Sequence, residues 1–218
     1  MRISTAAGVA AALSLFGLDA AAAASFPQNG EAEQARHFAP SYGKTLPPVG
    51  FVRFCVRNPA DCRPSGWSPR RAFLSADRWR QVYQLNSYVN ARIKPVSDAE
   101  LYGAEEHWDY PSDAGDCEDY VLMKKRYLEK LGIARSALLI TVVLDERNEG
   151  HAVLTLRTED GDFVLDNRRN EIRRWSETDY AFLKRQSARD PREWVSLSQE
   201  GVTVSAVTAG GAGAPEDP

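Results

Sequence analysis

The apolar positions along this chain repeat first with a helical period and then with a strand period. Residues 75–95, SADRWRQVYQLNSYVNARIKP, set Trp79, Val82, Tyr83, Val89 and Ile93 at three- and four-residue steps. That spacing predicts an amphipathic helix capped by Ser75 and closed at Pro95. Asn86 and Asn90 fall on or beside its apolar face, where a buried polar network that orients the helix is the plain expectation. Residues 115–132, GDCEDYVLMKKRYLEKLG, predict a second helix. Asp116 is its N-cap candidate, and Gly132 stands where a helix takes its left-handed stop. Tyr120, Val121, the stem of Lys124, Tyr127, Leu128 and Leu131 form the stripe expected to be buried.

Three strand signals follow. ALLITVVLD, 137–145, is a continuous apolar run suited to a central strand. HAVLTLRT, 151–158, alternates, with His151, Val153 and Thr155 on one face. DFVLDN, 162–167, is a short strand joined to it through Asp160-Gly161, a hairpin signal. WSETDYAFLKRQSA, 175–188, predicts a closing helix, with Ser176 and Asp179 as a weak capping box. Helices first and an antiparallel sheet afterwards make an α+β domain.

The ends of the chain have a different character. Arg2, the apolar run AAGVAAALSLFGL and the small residues up to Ser25 predict a secretory signal peptide over 1–24. That run is too short to span a bilayer, and Asp19 ends it. Residues 25–50, punctuated by Pro and Gly, read as a linker or N-terminal arm. The tail, 201–218, is small and Gly/Ala-rich and is expected to be disordered. The folded domain is therefore expected over 51–200, in an exported protein of periplasmic type. With 27 basic against 30 acidic residues and a net charge of -3, no basic stripe stands out, so nucleic acid is not an expected partner.

Export changes how the cysteines are read. Cys55 and Cys62 flank Asn58-Pro59, a turn signal, and in an oxidising compartment a small disulfide loop is the economical reading. Cys117 is then the odd thiol, either packed and inert or kept for chemistry. It falls at the first position of its helix, where backbone N–H groups and the helix dipole should lower a thiol pKa. His151 begins an alternating strand, and the next strand ends in Asp166. Nucleophile on a helix start, base on one strand and acid on the next give the layout of papain-like chemistry. One geometric condition attaches. A tight turn at Asp160-Gly161 sets Glu159 opposite Asp162 and leaves His151 and Asp166 four residues out of step, about 13 Å. A triad therefore requires the register to shift by an even number of residues.

The runs GDCEDYVLMKKRYLEKLGI, GHAVLTLRT and FVLDN resemble the motifs of the bacterial transglutaminase-like cysteine proteinases. That family includes periplasmic proteases that release biofilm adhesins from the outer membrane. The similarity extends upstream through VNARI and EEHWDYPSDAGDCEDY and downstream through YAFLKRQSARDPREW, over about residues 51 to 195. It implies a papain-like, transglutaminase-like core, with Cys117 as nucleophile, His151 as general base and acid, and Asp166 as orienter. The backbone N–H of Cys117 is one expected oxyanion donor, and Asn86, Asn90 and Trp108 are candidates for a second. The acids beside the thiol read in two ways. Asp116 and Glu118 are first-turn acids of an ordinary helix, or, pointing away from the thiol, ligands for a hard cation such as calcium. The adhesin-cleaving relatives look calcium-dependent through the matching acids, so the resemblance makes Asp116 and Glu118 candidate ligands, with Asp113 as a candidate third carboxylate.

The expected function is an exported cysteine endopeptidase acting on a protein substrate, with a surface adhesin as one candidate. An acyltransferase or transglutaminase using the same triad, and a non-catalytic periplasmic binding domain, are the alternatives. The resemblance leaves room for an inner-membrane regulator, and a monomer is the expected state. The segment DYAFLKRQS…DPREW departs from the adhesin-cleaving members and looks more like the broader family, so the substrate does not carry over with the catalytic set.

Overall fold

The structure is a computed structural model that describes residues 36–199 apart from 65, 67 and 69. The expected signal peptide at 1–24 and the expected disordered tail at 201–218 lie outside the described residues. In chain order the elements are Lys44–Thr45 (β1), Val49–Arg57 (α1), Ala76–Arg92 (α2), Lys94–Pro95 (β2), Asp98–Tyr102 (α3), Ala114–Gly115 (β3), Cys117–Lys130 (α4), Leu138–Leu144 (β4), Gly150–Thr158 (β5), Gly161–Leu165 (β6), Arg173–Arg174 (β7), Ala181–Gln186 (β8) and Trp194–Ser196 (β9). Among the described residues no helix is long and apolar enough to cross a membrane.

The continuous apolar run of β4 becomes the middle of a seven-stranded sheet in the order β1-β9-β8-β4-β5-β6-β7. Every pairing in that sheet is antiparallel. The α4 helix lies across it. Val121, Leu122 and Leu128 pack with Ile140, Val142, Ala152, Leu154 and Leu156 in one buried cluster. Burying each Val, Leu or Ile side chain among them contributes about 1.5–3 kcal/mol. The fold is α+β, as the order of periodicities predicts.

Residues 175–188 do not form the expected helix. Only Trp175–Glu177 make a short 3-10 turn, and Ala181–Gln186 form β8. The reason is tertiary. A strand as apolar as β4 needs hydrogen-bond partners along both edges. β5 takes one edge, and residues 181–186 take the other. That demand outweighs a weak capping signal.

Within the expected linker or N-terminal arm, the described residues 36–50 are more structured than a linker. Asp162 donates its N–H to the carbonyl of His37, β1 pairs with β9, and α1 begins at Val49. Phe51 and Phe54 of α1 are buried, and the Phe51 ring meets Trp108 and Trp194 edge-on at 5.7 and 5.5 Å. Cys55 and Cys62 form the expected disulfide, and Cys117 stands outside it.

The hairpin between β5 and β6 meets the even-shift condition. Thr158, rather than Glu159, closes the ladder, facing Gly161, and Leu154 faces Leu165. The turn residues are Glu159 and Asp160, one place earlier than expected. Gly161 opens β6 with φ +143, a conformation that favours glycine, so the turn is placed ahead of it. His151 is thereby two residues out of step with Asp166 instead of four, about 7 Å along the strand, a gap two side chains can bridge.

Candidate active site

Cys117 is the first residue of α4, as its position in the sequence predicts. His151 is the second residue of β5, and Asp166 follows the last residue of β6. The structure brings the last two together: His151 Nε2 lies 2.9 Å from Asp166 Oδ1. It brings the first against the same strand: Ala152 donates its backbone N–H to Cys117 Sγ at 3.4 Å. His151 and Asp166 are both buried, at 1% and 3% exposure, rather than lining an open cleft. Cys117 keeps partial exposure as a residue while its sulfur is enclosed.

Asp166 is held on several sides. Its Oδ1 also accepts the Arg168 N–H at 3.1 Å, and its Oδ2 accepts the Tyr180 hydroxyl at 2.5 Å. Burial alone would raise its pKa. The His151 hydrogen bond and charge, the Tyr180 hydroxyl and the Arg168 N–H outweigh burial and hold it at about 2. Its backbone carbonyl accepts Asn90 Nδ2 at 3.0 Å.

Asn86 and Asn90 make the buried network expected on bland grounds, and they are not oxyanion donors. Asn86 Nδ2 is spent on the carbonyl of Asn170 at 3.1 Å, and Asn90 Nδ2 on the carbonyls of Asp166 and Arg169. Trp108 is fully buried and gives its indole N–H to Glu106 Oε2 at 3.2 Å. All three candidates for the second donor are thus committed elsewhere.

The thiol does not sit in the electropositive pocket that a helix start suggests. Burial, then the charges of Glu118 and Asp116, push its pKa well above the ordinary value. Glu118 does not point away from it: Glu118 Oε2 lies 3.2 Å from Cys117 Sγ. Nor is Asp116 a side-chain cap, since its carboxylate makes no cap hydrogen bond and Oδ2 accepts the N–H of Asp98 instead. Asp113 stays out of the group; it is exposed and pairs with Arg92 at 2.9 Å.

Two acids that sequence reasoning missed complete the cluster. Oxygens of Asp98, Asp116 and Asp119 all lie within 4.8 Å of one another. Asp98 Oδ1, Asp116 Oδ1, Glu118 Oε1 and Asp119 Oδ2 are buried without a hydrogen-bond partner. Burial, ahead of mutual repulsion, raises Asp116 to about 6 and Asp119 to about 8, and raises Glu118 well above its ordinary value. Gly115 makes the cluster possible, because a Cβ there would collide with the Asp119 carboxylate. Asp119 Oδ1 also takes the N–H of Asp109 at 3.0 Å, and Asp98 takes that of His107. The cluster therefore ties the loop before α4 to the helix.

The family described as bacterial transglutaminase-like cysteine proteinase, BTLCP, matches residues 41–202, about three-quarters of the chain. The chain belongs to this family. It is accordingly a transglutaminase-like cysteine peptidase. The family match begins ten residues before Phe51, in line with the docked arm. Among solved structures, calcium-bound Legionella pneumophila LapG is 24% identical, covering 58% of this chain and 74% of that chain, with a TM-score of 0.47. EGTA-treated Legionella pneumophila LapG is 25% identical, covering 54% of this chain and 66% of that chain, with a TM-score of 0.46. None of the curated proteins matches the chain.

Proposed function

We propose that this cysteine peptidase is exported and cuts a protein of the cell surface or periplasm with a Cys117–His151–Asp166 triad. The supporting observation is a joint contact. His151 Nε2 bonds to Asp166 at 2.9 Å, while the N–H of the next residue, Ala152, lies 3.4 Å from Cys117 Sγ. With Nε2 committed to the acid, Nδ1 is the ring nitrogen that exchanges a proton with the thiol. Cys117 loses its proton to His151 and its sulfur attacks the substrate carbonyl. His151 then returns that proton to the leaving amine as the C–N bond breaks. Water, deprotonated by the same imidazole, cleaves the thioester and releases the acid. The backbone N–H of Cys117, at a helix start, would stabilise the oxyanion.

The acid cluster enters the same reading as a calcium site. Its donor set fits: four carboxylates contribute buried oxygens without partners, and hard oxygen donors suit calcium. Asp98, Asp116 and Asp119 would hold the ion, with Glu118 beside them, and its positive charge would offset the acids that disfavour a thiolate. The surface-protein substrate rests on the likeness of the three motifs to adhesin-releasing proteases, and export rests on the leader expected at 1–24. The test compares surface and medium proteins of cells carrying the natural chain or Cys117→Ala. A surface protein released only by the natural chain is the expected result. Identical profiles in cells shown to make the folded enzyme would remove the surface substrate.

A further inference from the structure

Tyr180 lies in the segment that forms a strand instead of the expected helix, outside the Cys117–His151–Asp166 set. It is 9% exposed, and its hydroxyl donates to Asp166 Oδ2 at 2.5 Å. Its ring stands edge-on to that of His151, with centroids 5.6 Å apart and planes at 69°. We propose that Tyr180 is a positioning residue of the active site, fixing the Asp166 carboxylate in the one orientation that points Oδ1 at His151. The proposal deepens the triad reading and rests on it.

A carboxylate has two oxygens and turns about one bond. Asp166 Oδ1 is already engaged by His151 Nε2 and by the Arg168 N–H. Those two contacts fix one end only. The Tyr180 hydroxyl fixes the other, and a carboxylate gripped at both oxygens cannot turn away from the imidazole. A charge-assisted bond of this kind is about twice as strong as a neutral one. Removing it would leave a buried anionic oxygen without its donor, a state more costly than the bond is worth.

The register explains why Tyr180 arrives there. Val143 of β4 faces His151 on one side and Phe182 of β8 on the other. Side chains directly across a sheet share a face, so His151, Val143 and Phe182 form one row. Tyr180, two residues before Phe182, comes to the same face and packs with Val143, Val153 and Val164. The register shift between Val142 and Val143 in the β4–β8 pairing lies beside this row and re-aims the chain leading into it. Other charges nearby serve different ends. Arg168 gives its guanidinium to Asp145 at 2.6 Å, while Arg169 stands 5.8 Å over the Tyr180 ring and is also a hydrogen-bond partner of its hydroxyl.

A packing role would need only the ring, which separates the two explanations. The readout is the rate of Cys117 alkylation by iodoacetamide near pH 6, where an isolated thiol is protonated and reaction needs the imidazole. His151→Ala should abolish the fast reaction. Tyr180→Phe should slow it about tenfold, the scale of one lost hydrogen bond to a charged group. In an Asp166→Asn background, Tyr180→Phe should slow it no further, because the residue acts through that carboxylate. To guard against a variant that fails to fold, position 180 also receives p-fluorophenylalanine, which fills the space without donating, and p-aminophenylalanine, which donates. The amino side chain should restore the rate and the fluoro side chain should not. If His151→Ala leaves the rate unchanged, the triad reading fails and the proposal with it. If the rate depends on His151 but the fluoro or Phe variant matches the natural chain, or slows the Asp166→Asn background equally, the positioning role alone is overturned.

Discussion

Leu154 faces Leu165 across the β5–β6 hairpin, and that pairing decides whether the imidazole and the acid can meet. From it, His151 and Asp166 stand two residues out of step on one face and bridge the gap with a 2.9 Å hydrogen bond. The pairing sets an order among substitutions. Cys117→Ala and His151→Ala should each lower peptidase activity by at least about a thousandfold. Asp166→Asn should lower it about 10- to 100-fold, because an amide oxygen still orients the ring through Nε2. The check is turnover of the released substrate or of a peptide spanning its cut site. An Asp166→Asn loss as deep as that of His151→Ala would show that the acid's charge, rather than its orientation, is what the site requires.

Calcium should stabilise the purified protein irrespective of substrate. At free calcium a hundredfold above its dissociation constant, binding adds about 2.7 kcal/mol, which raises the melting temperature by about 5–10 °C. EGTA should reverse the rise. Asp119→Asn and Asp98→Asn should reduce it, because each removes a charged ligand from the cluster, whereas Asp113→Asn should leave it intact. Melting curves with calcium and with chelator decide the matter. Identical curves would mean that the acids only link the loop to the helix.

Lys124 offers a pH test of the core. It is wholly buried on α4, and its Nζ has no hydrogen-bond partner among the described residues. Burial pushes its pKa down to about 7 from an ordinary 10.5, against the pull of the Asp166 charge. Between those values the unfolded chain binds the extra proton, so this residue makes stability rise with pH across that window. Below about pH 7 both states are protonated and the burial cost is felt in full. Lys124→Met should therefore gain stability near pH 6, by about 1–4 kcal/mol, and gain little near pH 9.5. Urea unfolding at the two pH values measures both gaps. An equal gap at each would mean that the ammonium is solvated or paired.

The disulfide closes a loop only seven residues long in sequence separation. Cys55→Ser with Cys62→Ser should cost about 2–3 kcal/mol, visible as a lower denaturant midpoint. Activity should survive at temperatures where the variant stays folded, since the bridge lies on α1 and its turn rather than at the site. Mass spectrometry of the non-reduced natural chain should find Cys117 in no cross-link.

What could be read from the sequence follows how local its cause is. The α2 and α4 helices, the central strands and the position of Cys117 at a helix start depend on periodicity and caps within one segment, and they were legible. Asp119 was within reach, one helical turn from Asp116 on the same helix. Asp98 was not, because nothing along the chain says that α3 will lie beside the start of α4. The failed helix at 175–188 had its cause in the unsatisfied edge of β4, which only tertiary pairing reveals, and Tyr180 was hidden with it. The thiol's environment is hidden from the sequence for a related reason. A helix dipole can be inferred from position, but whether Glu118 turns toward or away from the sulfur is decided by packing.

The α2 helix touches both halves of the site without belonging to either. Near its end, Asn86 and Asn90 grip the loop that follows Asp166, and just beyond it Lys94 donates its N–H to the Asp113 carbonyl in the strand pair leading to Cys117. The helix is thus a spacer bar that sets how far the loop before Cys117 stands from the loop after Asp166. Its length is a tolerance of the machine: one residue added or removed between Asn90 and Lys94 would rotate one anchor against the other by about 100°. Insertions in this stretch should therefore be far less tolerated than insertions in the surface turns.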